Sequence, residues 1–199
     1  MGALMLNLTD ASKILRARLN SFGITLLVVA AVSSLFLGNA KALAESLPPL
    51  QTVDHVDLQR YAGEWFEIAS FPKWFSRGCV NTKATYEVRN DGRVNVVNEC
   101  RKFSADGRLS VAKGIARVTD EQTNSKLKVR FGWSPFEGDY WIIELGSNYE
   151  YAVVSEPGRD ALWILSRSET LPKEILDEIK VRMKDVHKLD LGRLVYTRL

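Results

Sequence analysis

The chain has 199 residues, 46% of them hydrophobic and 26% charged. That balance excludes a disordered, collagen-like or multi-span membrane protein. The formal charge of +3, from 27 basic and 24 acidic residues, points weakly to anionic partners, and two cysteines with two histidines leave little for a metal site.

The N-terminal stretch reads differently from the rest. Residues 22–37 carry no charge, with Lys13, Arg16 and Arg18 before them and Ala42-Leu43-Ala44 after. A basic segment, an apolar run and a small-x-small site form the layout of a secretory signal peptide. The run of 16 residues is short of the roughly 20 that span a bilayer, which ranks an uncleaved anchor second. The expectation is a signal peptide over residues 1–44 and a mature domain over 45–199. Cleavage after Ala44 removes four basic residues and one acidic one, leaving 23 of each. The mature protein is then neutral, with no basic cluster interleaved with aromatics, which speaks against nucleic acid. No Cys near the cleavage site could accept a lipid. An exported, soluble protein is expected, located in the periplasm, at the outer membrane or outside the cell.

Export sets the reading of Cys79 and Cys100, which would meet an oxidising compartment. A disulfide is expected, closing a loop of about twenty residues and worth about 3 kcal/mol. The alternative is a reactive thiol, although no His flanks either Cys to activate it.

From Glu64 onward, β-rich runs alternate with turn residues. The expected strands cover 64–71, 80–89, 93–101, 110–119, 126–133, 139–145, 149–155 and 161–167. Separators such as Asn90-Asp91-Gly92 and Pro157-Gly158-Arg159-Asp160 are short. Eight such strands read as an antiparallel meander, hence a sandwich or barrel. One helix follows, opened by Thr170 and Pro172. Ile175, Leu176, Ile179, Met183 and Val186 give it one apolar stripe to pack against the outside of the sheet. Leu194-Val195-Tyr196 suggests a short closing strand.

Alternation assigns the faces. Ala84, Tyr86 and Val88 share one side of their strand, and Val94 and Val96 one side of the next. Leu127, Val129 and Phe131 alternate with Lys126, Lys128 and Arg130, whose charges must meet water. A closed eight-stranded barrel with this apolar lining holds either packed side chains or one small apolar ligand. Composition leaves both open.

Gly63-Glu64-Trp65-Phe66-Glu67-Ile68-Ala69 opens the first strand, and Asp160-Ala161-Leu162-Trp163-Ile164-Leu165-Ser166-Arg167 closes the last. The first resembles the G-x-W motif of the lipocalins, and the second resembles their third motif, whose Arg packs over the Trp. Ser147-Asn148-Tyr149 stands where the family often has Thr-Asp-Tyr. The match is closest to the bacterial, Blc-like group related to apolipoprotein D, and spans about residues 50 to 199. The resemblance implies an all-β, eight-stranded up-and-down barrel with one C-terminal helix outside. Gly63, Trp65 and Arg167 would close one end, so a ligand would enter at the other. Many bacterial members are lipoproteins with a lipid-accepting Cys, which this sequence lacks.

What the resemblance implies is carriage of a fatty acid, lysophospholipid or similar apolar molecule by a monomer or weak dimer, without a cofactor. The expected lining is Ala84, Tyr86, Val88, Val94, Val96, Val129, Phe131, Tyr140, Ile142 and Trp163. Tyr86 and Tyr140 could hold a polar head group. Glu144 shares the inward parity of Ile142, as a wet rim or a polar contact. Trp74, Phe75 and Arg77 lie in the loop after the first strand, where exposed aromatics would gate entry or touch a membrane transiently; an ordinary packed loop is the alternative. The rival functions are a carrier of haem, retinoid or pigment, and an isomerase or de-epoxidase on the same fold. No Ser/His/Asp set, carboxylate pair or metal spacing supports an enzyme.

Overall fold

The computed structural model describes residues 47–132 and 134–198. The expected signal peptide, residues 1–44, lies outside the described residues, as does Trp133. From Pro49 onward the chain forms one compact unit. A single helical turn α1 (Leu58–Tyr61) precedes eight strands: β1 (Gly63–Ser70), β2 (Cys79–Val88), β3 (Val94–Lys102), β4 (Leu109–Val118), β5 (Lys126–Phe131), β6 (Gly138–Leu145), β7 (Tyr151–Ser155) and β8 (Leu162–Ser166). Helix α2 (Lys173–Asp185) and a two-residue strand β9 (Val195–Tyr196) complete the chain.

Each strand pairs antiparallel with the next, and β1 pairs with both β8 and β2. The sheet therefore closes into the expected eight-stranded barrel. Because the meander runs up and down, the β1–β2, β3–β4, β5–β6 and β7–β8 loops share one end. The other three loops share the opposite end with α1.

Two apolar layers hold the fold. Trp65, Ala84, Tyr86, Val94, Val96, Ala116, Leu127, Ile142, Val154 and Leu165 pack inside the barrel. Ala69, Phe71, Ile143, Val153, Leu162 and Ile164 pack outside it, against Ile179 and Met183 of α2. Strands β7 and β8 feed both layers by alternation: Ala152 and Val154 point in, Val153 out. That is why their sequences read as nearly continuous apolar runs. The helix begins at Pro172, its N-cap, as the sequence reading expects. Val186 departs from the expected stripe. It is the C-cap, where the chain leaves the helix, and it stays exposed.

Cys79 and Cys100 are joined in a disulfide that ties the start of β2 to the end of β3. Neither cysteine is free. Among the described residues no helix is long and apolar enough to cross a membrane.

The barrel has one seam. Strands β1 and β2 pair only over residues 63–66 and 83–86, then part. The C-terminal segment fills the gap: β9 pairs with Ala69 and Ser70, Thr197 N donates to Ile68 O at 3.0 Å, and Asn81 N donates to Arg198 O at 2.8 Å.

Candidate functional site

The floor of the barrel is built around Trp65, which is fully buried. Its indole Nε1 donates to Tyr61 O at 2.8 Å. The Arg167 guanidinium lies 3.9 Å from the centre of the Trp65 rings, a cation–π contact. The same guanidinium donates to Glu64 O at 2.8 Å, Arg60 O at 2.7 Å, Tyr61 O at 3.1 Å and Tyr149 O at 3.4 Å. One side chain thus fastens α1, β1 and the β6–β7 turn over the closed end. Gly63 makes room for it: with φ of +96°, a Cβ there would be strained and would sit 3.2 Å from Arg167 Nη1.

Above the floor, all ten residues expected to line the lumen belong to the interior layer. Ala84, Tyr86, Val94, Val96 and Ile142 are buried in it, and Val88, Val129, Phe131, Tyr140 and Trp163 pack against it while only half-buried. Half-burial at inward positions fits space within the barrel or at its ends. The inward positions of β4 are small (Ser110, Ala112, Gly114, Ala116), and all but Ala116 are half-buried too. A Cβ on Gly114 would come within 3.0 Å of the Phe131 ring, so glycine lets that ring lie across the wall.

Several interior polar groups escape a search for apolar alternation. The hydroxyls of Tyr61 and Tyr140 lie 2.8 Å apart, and Tyr140 donates to Tyr86 at 2.9 Å. Burial pushes the Tyr86 hydroxyl up to about 12, and Tyr61 and Tyr140 are also raised by burial, so all three stay neutral donors. Tyr61 was outside the sequence reading because it precedes the first strand. Asn98 follows Val94 and Val96 on the inward face of β3, and its Oδ1 is buried without a hydrogen-bond partner. Its parity was legible, but its polarity was not part of the pattern sought.

Glu67 is inward by parity from Trp65 and sits at the seam. Its Oε1 accepts from Ser70 Oγ at 2.9 Å and Thr197 Oγ1 at 2.8 Å. Burial raises its pKa despite these bonds. A carboxyl raised in the fold contributes stability that is fully present below its ordinary value of 4.5 and is lost as pH rises through the folded pKa. Glu67→Gln keeps the acceptor and removes the charge. It should unfold at higher urea than the parent at pH 8 and at the same urea at pH 4; a lower midpoint at pH 8 would contradict the assignment. A concavity of about 350 Å³ opens at this seam. Its wall includes Glu67 itself and Cys100, together with Lys83, Glu99, Arg101 and Glu169.

Glu144 does not face the lumen. A β-bulge in β6 pairs Ile142 with Val154 but Glu144 with Val153, so parity reverses between them. The carboxylate lies outside, under α2, where it meets His187 Nε2 at 2.9 Å and Arg182 Nε at 3.0 Å.

The end opposite the floor carries aromatics on three of its loops. Trp74 is 75% exposed and Phe75 47% on the β1–β2 loop, Phe103 is 76% exposed after β3, and Phe136 78% before β6. The sequence reading singled out only the first two. Arg77 lies beside them and ends their short 3-10 turn.

Comparison with known proteins decides the family. The description "Lipocalin-like domain" matches residues 56–198. The chain is a lipocalin. It is 40% identical over 155 residues to the outer membrane lipoprotein Blc of Escherichia coli K12, covering 76% of this chain and 85% of that protein. The Vibrio cholerae protein of the same name is 37% identical over 167 residues, 83% of this chain and 94% of that one. Apolipoprotein D of Macaca fascicularis is 32% identical over 159 residues, 75% and 79% of the two chains. Among solved structures, insecticyanin from the tobacco hornworm superposes with a TM-score of 0.61 at 22% identity, over 76% of this lipocalin and 85% of that chain. That likeness concerns the fold alone.

Proposed function

We propose that this lipocalin binds a small apolar ligand (a lysophospholipid, fatty acid or similar lipid) inside its barrel and carries it as an exported protein of the cell envelope. The observation that carries this reading is the barrel interior: one end plugged by Trp65 and Arg167, and an apolar inner wall of which several residues are only half-buried. The charge-free run over residues 22–37 supports export. The names of the bacterial relatives support an envelope location.

Binding rather than catalysis fits the chemistry of the interior. The Cys79–Cys100 bond removes the thiol that a cysteine-based reaction in the barrel would need. The exposed Trp74, Phe75, Phe103 and Phe136 would let the mouth touch a lipid surface while a ligand passes.

Titration with lysophosphatidylcholine should quench tryptophan fluorescence saturably, because Trp65 and Trp163 line the interior. Phe131→Glu places a charge in the apolar lining and should weaken binding at least tenfold. Absence of saturable binding to any lipid tested would sink the reading. Native mass spectrometry of protein from its own host would weigh the ligand directly and separate a lipid from a haem, retinoid or pigment.

A further inference from the structure

Two unspent hydrogen-bonding groups stand on one wall of the lumen. Asn98 pairs with Ala84 on one side and Ala112 on the other, so only small side chains flank its amide on the neighbouring strands. Its Oδ1 is buried with no partner, an arrangement folded proteins rarely leave standing. The second group comes from the tyrosine chain. Tyr140 has a single proton and gives it to Tyr86, so Tyr61 must be the donor in the contact between Tyr61 and Tyr140. Three hydroxyls make two bonds, and the proton left over is that of Tyr86. On the β2–β3 ladder Tyr86 faces Val96 and Ala84 faces Asn98, which makes Tyr86 and Asn98 diagonal neighbours on the inner face.

We infer that Tyr86 and Asn98 form a polar contact inside the barrel that selects a neutral ligand carrying a hydroxyl group over one carrying a carboxylate. This rests on the carriage reading above and narrows the class of ligand. One alcohol oxygen completes both groups, accepting from Tyr86 and donating to Asn98. An ether can only accept, so it satisfies Tyr86 alone. A carboxylate can also only accept, and it brings a charge. The inward positions of β2 to β5 that share the face of Tyr86, Val96, Ala116 and Val129 carry no Lys or Arg up to Cys100. The inward carboxyl at the seam, Glu67, is itself an acid. A carboxylate drawn to this depth would be desolvated without a counter-ion.

The test compares three ligands of one chain length at pH 8, each titrated into the purified protein by tryptophan fluorescence: 1-dodecanol, dodecyl methyl ether and dodecanoate. The alcohol should bind about fivefold tighter than the ether, and the carboxylate weakest. Asn98→Leu should bring the alcohol-to-ether ratio close to one while leaving ether binding in place, which also shows that the lumen is intact. Tyr86→Phe should weaken alcohol and ether together, about fivefold each, and it reports on the same contact if the Asn98 variant does not fold. Dodecanoate binding as tightly as the alcohol, or an unchanged ratio in Asn98→Leu, would overturn the inference while leaving carriage standing. Failure of all three ligands to bind would overturn both.

Discussion

Replacing Trp65 with alanine should lower the unfolding free energy by about 3–5 kcal/mol, the range for truncating a fully buried aromatic. The indole is completely shielded, packs with its ring centroid 4.9 Å from that of Tyr61, and sits beneath the Arg167 guanidinium. Truncation leaves a void at the barrel floor and strips Arg167 of its platform. Trp65→Phe should cost less, because a ring still fills the site and only the Nε1 bond to Tyr61 O is lost. Arg167→Lys separates the two roles of the cation. A lysine keeps the charge, but it cannot serve the carbonyls of Arg60, Tyr61 and Glu64 with one planar fork. Urea unfolding measures all three. A loss under 1 kcal/mol for Trp65→Ala would mean that the floor is closed by something other than this stack.

The barrel was largely legible because charge and apolar character alternate with period two. Lys126, Lys128 and Arg130 could not face inward, so Leu127, Val129 and Phe131 had to. The closed end was legible only through motif resemblance, since Gly63, Trp65 and Arg167 are far apart in sequence and meet only in the fold. Parity failed at Glu144, where one extra residue in β6 places Ile143 and Glu144 on the same outer face. A local count of alternation carries no sign of a bulge, and adjacent apolar Ile142 and Ile143 were the only hint. Asn98 and Glu67 had the right parity but the wrong polarity for a search aimed at an apolar lining. The C-terminal closing strand was visible in Leu194-Val195-Tyr196. Its place in the seam between β1 and β2 follows from a divergence that pairing energetics set and composition does not.

Glu144→Ala should cost about 3 kcal/mol at pH 7, because it strands two partners at once. His187 is buried, its Nδ1 has no hydrogen-bond partner, and its Nε2 meets only Glu144. Arg182 would keep its bond to Tyr151 Oη at 3.0 Å but lose the carboxylate. Bonds to a charged group contribute roughly 1.5–3 kcal/mol each, and the part-exposed Arg182 brings the sum toward the lower end. The pH dependence identifies the cause. Burial alone would raise the Glu144 carboxyl, but the His187 hydrogen bond and the Arg182 charge outweigh it, and the pKa ends below its ordinary 4.5. A depressed carboxyl contributes stability that is present above the ordinary value and lost as pH falls through the depressed one. The parent should therefore lose stability on acidification below about pH 4.5 more steeply than Glu144→Ala, and the two urea midpoints should converge. Arg159 Nε holds the His187 carbonyl at 2.7 Å, so amide exchange should quicken first around residues 186–189 in the variant, ahead of the barrel strands. Midpoints that stay parallel down to pH 3 would show that the loss comes from packing under α2 and not from the carboxylate's charge.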